Sequence, residues 1–209
     1  MSEKEEVLRQ ISEIKTHLVD KEAFFPYNFN ACHVWSAIAV VLTLLMIPAY
    51  EASVAFGTIV TTLLVLMGFI IEAVMTKKVN ESYDIDDCTR RQQYIMSNFI
   101  MITLFAIVFS TFLASYKLYV PIMLLWLFLV SLGHLGVGFV LNIKAYGTLA
   151  KVNMIGAMIL LSIAIYFNLL EEQGTFLMLV QAVSIIGLAI APSFIAFKQQ
   201  KSEQKGCSV

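Results

Sequence analysis

The chain has 209 residues, of which 59% are hydrophobic and only 14% charged, with a formal net charge of −1. Soluble domains are about 45–50% apolar and about 25% charged, so this composition excludes a soluble globular enzyme, a disordered protein and a disulfide-stapled secreted domain. The balanced charge leaves no polybasic footprint for nucleic acid. The charges fall in clumps between long apolar runs, which predicts an all-α polytopic membrane protein.

The first 30 residues are mostly charged and polar. Within them Val7, Ile11, Ile14 and Leu18 recur at helical spacing, and Glu5 and Arg9 form an i,i+4 pair on the polar side. This predicts a short N-terminal amphipathic cytoplasmic helix. It would lie on the membrane surface or dock a cytoplasmic protein through residues 1–20. The first apolar run follows this leader, so the first span is expected to serve as the insertion signal.

Six apolar runs follow: Val34–Tyr50, Ala52–Met75, Gln92–Tyr116, Leu118–Ile143, Thr148–Leu170 and Gly174–Lys198. A helix crosses the hydrocarbon core with about 20 residues; Phe29 to Trp35 would lengthen the short first run along the interface. The runs are continuous rather than alternating, which favours helices over barrel strands. Short connections at Ala49–Ala52, Tyr116–Leu118 and Leu170–Gly174 tie them into three antiparallel hairpins, and no internal repeat relates these. The organisation expected is 1–30 leader, 31–198 transmembrane domain and 199–209 tail. Pro48 is expected to end the first span, Pro121 to sit in the first turn of the fourth, and Pro192 to kink the sixth. Trp35, Tyr50, Tyr116 and Tyr119 read as interfacial aromatics.

Orientation follows from Lys and Arg. With the N-terminus in the cytoplasm, 13 of the 14 basic residues fall on the inner side and only Lys117 outside. Both termini are therefore expected in the cytoplasm. Cys32, Cys88 and Cys207 share that side, where thiols stay reduced and no disulfide is expected. The sequon at Asn80 would be unmodified there, and the tail from Gly206 falls one residue short of a prenylation box.

Polar residues kept inside a bilayer are the natural place to look for function. Here they are His33, Glu72, Asn98, His134, Asn142, Asn153 and Gln181. All but Gln181 fall in the inner half, which predicts a polar collar around a cavity that opens toward the cytoplasm. Glu72, Asn98, His134 and His33 are the candidate ligand-binding residues. Against this, Glu72 could snorkel and pair with Lys77 or Lys78, and the asparagines could act as interhelical hydrogen bonds or caps. His134 lies among Gly133, Gly136 and Gly138, which suit either close helix packing or the approach of a flat ligand such as haem or a quinone.

Cys32, His33 and His134 lack the spacing of a metal motif. The acidic stretch Glu81 to Asp87 lacks the glycine and terminal glutamate of a calcium loop, and Asp86 or Asp87 reads better as a helix cap. Intramembrane serine-protease, zinc-helix and phosphate-loop patterns are all missing, so catalysis and a bound cofactor are not expected.

The amphipathic leader with Phe24 and Phe25, the Leu141–Tyr146 segment between the fourth and fifth spans, and the following Gly156 and Ile159 together resemble a loose group of bacterial six-span inner-membrane proteins. The resemblance implies an inner-membrane location and carries no activity, cofactor or site residue. The leading expectation is a non-enzymatic component that binds or moves a small solute or ion. The alternative is a structural or regulatory membrane partner, with a haem or quinone protein third. A homo-oligomer is compatible with either of the first two.

Overall fold

A computed structural model describes residues 28–81, 90–171 and 174–206, with side chains over 28–81, 92–171 and 174–201. The leader at Glu5–Leu18, the caps at Asp86 or Asp87, Cys88 and Cys207 lie outside the described residues. Six helices form a bundle: α1 Phe29–Ala52, α2 Val54–Glu81, α3 Arg90–Ser115, α4 Tyr119–Val140, α5 Lys144–Tyr166, and α6. The last runs as Thr175–Ile185, a π-helical turn Ile186–Ile190 and Ala191–Gly206. No strand occurs among the described residues, and all six helices are long and apolar enough to cross a membrane. The chain is an integral membrane protein with six spans, and exposed leucines, isoleucines and phenylalanines give the bundle an apolar outer surface.

Pro48 does not end the first span. It lies inside α1, which continues to Ala52. A proline four residues from a helix end displaces one hydrogen bond and leaves the last turn intact. Three connections instead end on left-handed residues, Lys117, Asn142 and Asn168, with φ of 58°, 54° and 56°. Each closes a Schellman motif; at the end of α4 the Ile143 N–H donates to the Gly138 carbonyl at 2.9 Å and the Asn142 N–H to that of Phe139 at 3.3 Å. Asn142 is thus a helix stop.

The membrane offers little hydrophobic drive for helix association, so packing and polar links must hold the bundle. The central helix is α4, with Tyr119, Val120, Ile122, Met123, Leu124, Trp126 and Leu127 in the core. Its most extensive partner is α5 rather than α3. The reason is backbone proximity: a Cβ on Gly138 would sit 2.7 Å from the backbone nitrogen of Gly147. A Cβ on Gly133 would strike the Phe99 ring, whereas one on Gly136 would meet nothing. Two of the three glycines around His134 therefore serve helix packing. The first segment of α6 packs on α1 and α4 and hardly touches α5, so the last hairpin splays toward its connecting turn.

Tyr50 and Tyr119 stand at helix ends but are packed against protein rather than exposed on the outer surface. They are 2% and 4% exposed, Tyr50 covering Gly57, where a Cβ would clash with its ring. Tyr116, 61% exposed, is the one that keeps an outward position. Polar links stitch most neighbouring helices. Asn80 and Gln92 exchange reciprocal amide bonds of 3.1 and 2.8 Å between α2 and α3, and Thr58 meets Thr111 at 2.8 Å. Trp126 donates to Ser110 at 2.9 Å, joining α4 to α3, and Gln181 donates to the Thr43 carbonyl at 3.1 Å, joining α6 to α1.

Candidate functional site

A cavity runs inside the bundle between α1, α3, α4 and α6. On α4 it is lined by Met123, Trp126, Val130 and His134, and on α3 by Ile95, Phe99 and Thr103. Spacings of three and four residues place each set on one helix face. Along α1 the lining extends from Ala31 to Met46, a distance of about 22 Å at 1.5 Å per residue. The cavity thus reaches from the end of the bundle rich in Lys and Arg past the middle of the helices. Its volume is about 100 Å³, well above the ~10–15 Å³ that a single water needs.

A single residue of α2 reaches this space, and it is Glu72. Its Oε2 accepts a 2.7 Å hydrogen bond from the indole Nε1 of Trp35 on α1. Trp35 is itself held in place. A Cβ at Gly68 would lie 2.8 Å from its ring, and Phe69 meets it edge-on with centroids 4.9 Å apart. The sequence Gly68-Phe69-x-x-Glu72 therefore builds a seat for one indole: the glycine lets the ring approach, the phenylalanine flanks it, and the carboxyl one turn later receives its N–H.

The pairing of Glu72 with Lys77 or Lys78 is not formed. Lys77 lies 3.9 Å from Glu81 on its own helix, both side chains largely exposed, while Glu72 turns inward to Trp35. Among the described residues, no Lys or Arg lines the cavity.

His134 lies on the same wall. Its ring stacks on Tyr146 of α5 with planes 2° apart and centroids 5.9 Å apart, and Phe99 meets it edge-on at 6.0 Å. The Tyr146 hydroxyl in turn lies 3.3 Å from Cys32 Sγ on α1. These contacts fix the imidazole between aromatic neighbours and leave its Nδ1 buried without a protein partner. A second such atom, Ser184 Oγ on α6, belongs to another residue of the lining. Buried polar atoms are nearly always hydrogen-bonded; three further unpartnered ones among the described residues, the hydroxyls of Tyr50, Thr61 and Ser131, lie away from this lining, so such atoms are spread through the bundle rather than gathered at the cavity.

Of the four residues singled out in the sequence, Glu72 and His134 line the cavity and Asn98 and His33 do not. Asn98 is partly buried on α3, one position before the lining residue Phe99. His33 Nδ1 lies 3.1 Å from Ser193 Oγ, which continues to Ser36 at 2.9 Å, so this imidazole belongs to the α1–α6 junction. The two histidines do not share the cavity wall, which removes the pair of axial ligands that a haem at His134 would draw on. No group of three or more His, Cys, Asp or Glu side chains gathers as a metal site among the described residues.

Sequence reasoning missed Trp35, Trp126 and Ser184. Trp35 reads as an interfacial aromatic until Gly68 and Glu72 are seen on the facing helix. One signal was available: the chain has only two tryptophans, and both line the cavity.

The sixth helix meets this cavity where it is least regular. Ala191 N–H donates to the Ile186 carbonyl, five residues back, and Pro192 has no N–H to give the carbonyl of Leu188. The loosened ladder is compensated by Asn153 of α5, whose Nδ2 donates to the Gly187 carbonyl at 3.0 Å. A Cβ on Gly187 would lie 2.8 Å from Asn153 Oδ1, so a larger residue there would have to displace the Asn153 amide. Ser184, Leu188 and Pro192 are the lining residues of α6 and bracket this turn. Comparison with protein-family models, curated proteins and solved structures finds no match for the chain.

Proposed function

We propose that the protein is a non-enzymatic component of a bacterial inner membrane that binds, and in that capacity moves or presents, a small solute. Both termini lie in the cytoplasm in this reading, supported by the sequence positions of 13 of the 14 basic residues, which fall in the terminal segments and in the two connections on the same side. The cavity is loaded from that side, where Glu72 and His134 stand.

The observation that carries the reading is a largely apolar space inside the bundle whose lining includes Glu72, His134 and Ser184. Glu72 presents a carboxyl group, and His134 Nδ1 and Ser184 Oγ have no protein partner. An apolar pocket with a few convergent polar groups is the usual form of a small-molecule site. Polar groups at such depth are costly as mere filling.

The test is thermal unfolding of the purified protein against a panel of soluble amines, amino acids, carboxylates and sugars. A ligand that binds only the folded state raises the unfolding temperature. At least one class is expected to stabilise the wild type and to lose that effect in Glu72→Gln and His134→Ala. Stabilisation by none of them, or equal stabilisation of both variants, contradicts the reading.

A further inference from the structure

We infer that the solute taken by this cavity is a small organic cation, an ammonium group carrying an alkyl or aromatic body, with Glu72 as its counter-charge and Trp35, Trp126 and Phe99 as its walls. The inference rests on the solute-binding reading above and names its chemical class.

Three observations carry it. The first is charge: Glu72 is the only carboxyl side chain lining the cavity, and no Lys or Arg lines it among the described residues. A carboxylate in a low-dielectric space needs either a proton or a cation beside it. Its one hydrogen bond from a protein side chain is the neutral indole N–H of Trp35, at 2.7 Å. The N–H orients one oxygen and supplies no countercharge, which leaves the other oxygen for a guest.

The second is the composition of the walls. Both tryptophans of the chain and Phe99 line the same space. Aromatic faces attract ammonium groups through the ring quadrupole, most strongly with tryptophan and when the pair is desolvated. An anion would gain nothing from these faces and would be repelled by Glu72. A bare metal ion would require a cluster of oxygen, nitrogen or sulfur ligands, and no such cluster is found among the described residues.

The third is that the seat is built. Gly68 and Phe69 hold Trp35 against Glu72, so the carboxyl and the first aromatic wall are positioned as one unit before any guest arrives. Such preorganisation reduces the ordering cost of binding. The available space, about 100 Å³, is well above the ~10–15 Å³ that a single water needs and suits a small guest.

The same two tryptophans supply the measurement. Intrinsic fluorescence excited at the red edge of the tryptophan band reports on Trp35 and Trp126, and therefore on the cavity. Three probes of one shape are titrated into the full-length wild type in mild detergent: choline, its neutral isostere 3,3-dimethylbutan-1-ol, and the anion 3,3-dimethylbutanoate. Choline is expected to bind at least about tenfold more tightly than the alcohol, and the anion least tightly. In Glu72→Gln the preference for choline over the alcohol should fall to within about threefold, while the affinity for the alcohol is kept.

Binding of the alcohol or the anion as tightly as choline in the wild type overturns the cation assignment and leaves the solute-binding reading standing. No fluorescence response to any of the three contradicts both. The wild-type comparison needs no variant, so the test holds even where Glu72→Gln folds poorly, and Glu72→Asp then provides the second charged control.

Discussion

At the scale of single residues, the glycines of α4 separate packing from function. Gly133, Gly136 and Gly138 surround His134, and each faces something different: the Phe99 ring, nothing within 4 Å, and the Gly147 backbone. Gly138→Ala would place a methyl 2.7 Å from a backbone nitrogen that no rotamer can move. Overpacking of this kind costs about 1–3 kcal/mol. Gly136→Ala adds a methyl in open space and gains helix propensity of about 1 kcal/mol. Unfolding in mixed micelles of increasing SDS should therefore show Gly138→Ala destabilised and Gly136→Ala neutral or stabilised. Equal effects at the two positions would contradict the α4–α5 contact.

The residue scale is also where the sequence was least legible. Glu72 and His134 stand out as polar groups in apolar runs, and this is enough to nominate them. What each touches depends on residues 37 and 12 positions away, Trp35 and Tyr146. A stripe pattern on one helix does not reveal which face of the next it will meet. His33 shows the converse: its depth matched that of the collar, but its side chain turned to Ser193 on α6. Depth is readable from position along a span, whereas azimuth around the helix is set by packing.

At the scale of elements, six helices were readable because run length and continuity in a bilayer leave few alternatives. The ends were read less well where side-chain chemistry competes with backbone tolerance. Pro48 looked like a stop and is absorbed near the end of α1, while the stops at Lys117, Asn142 and Asn168 come from left-handed residues after the last turn. The π-helical turn of α6 lies in the stretch that carries Ser184, Leu188 and Pro192 of the cavity lining. Asn153 holds it through the Gly187 carbonyl. Asn153→Ala should cost about 0.6–1.7 kcal/mol, the range of interhelical hydrogen bonds in membranes. Amide exchange should rise most at residues 186–191. Unchanged stability with unchanged exchange there would show that the turn does not depend on this bond.

At the scale of the whole molecule, the architecture and the chemistry of its interior have one logic. Lipid covers the outside, so apolar contact alone does not specify how the helices pair. The specification comes from close backbone approach at Gly138 and Gly147 and from polar links among α1, α2, α3 and α6. These bring the only carboxyl of the lining, both tryptophans and two unpartnered polar atoms around one space.

Native mass spectrometry of the protein released gently from its membrane tests the central claim, that this space is a solute site, most directly. The account predicts a small adduct on the wild type, retained at low activation and lost in Glu72→Gln, with its mass identifying the solute. A wild-type spectrum at the bare mass of one or several protomers, unchanged when the membranes are first incubated with choline, would contradict it.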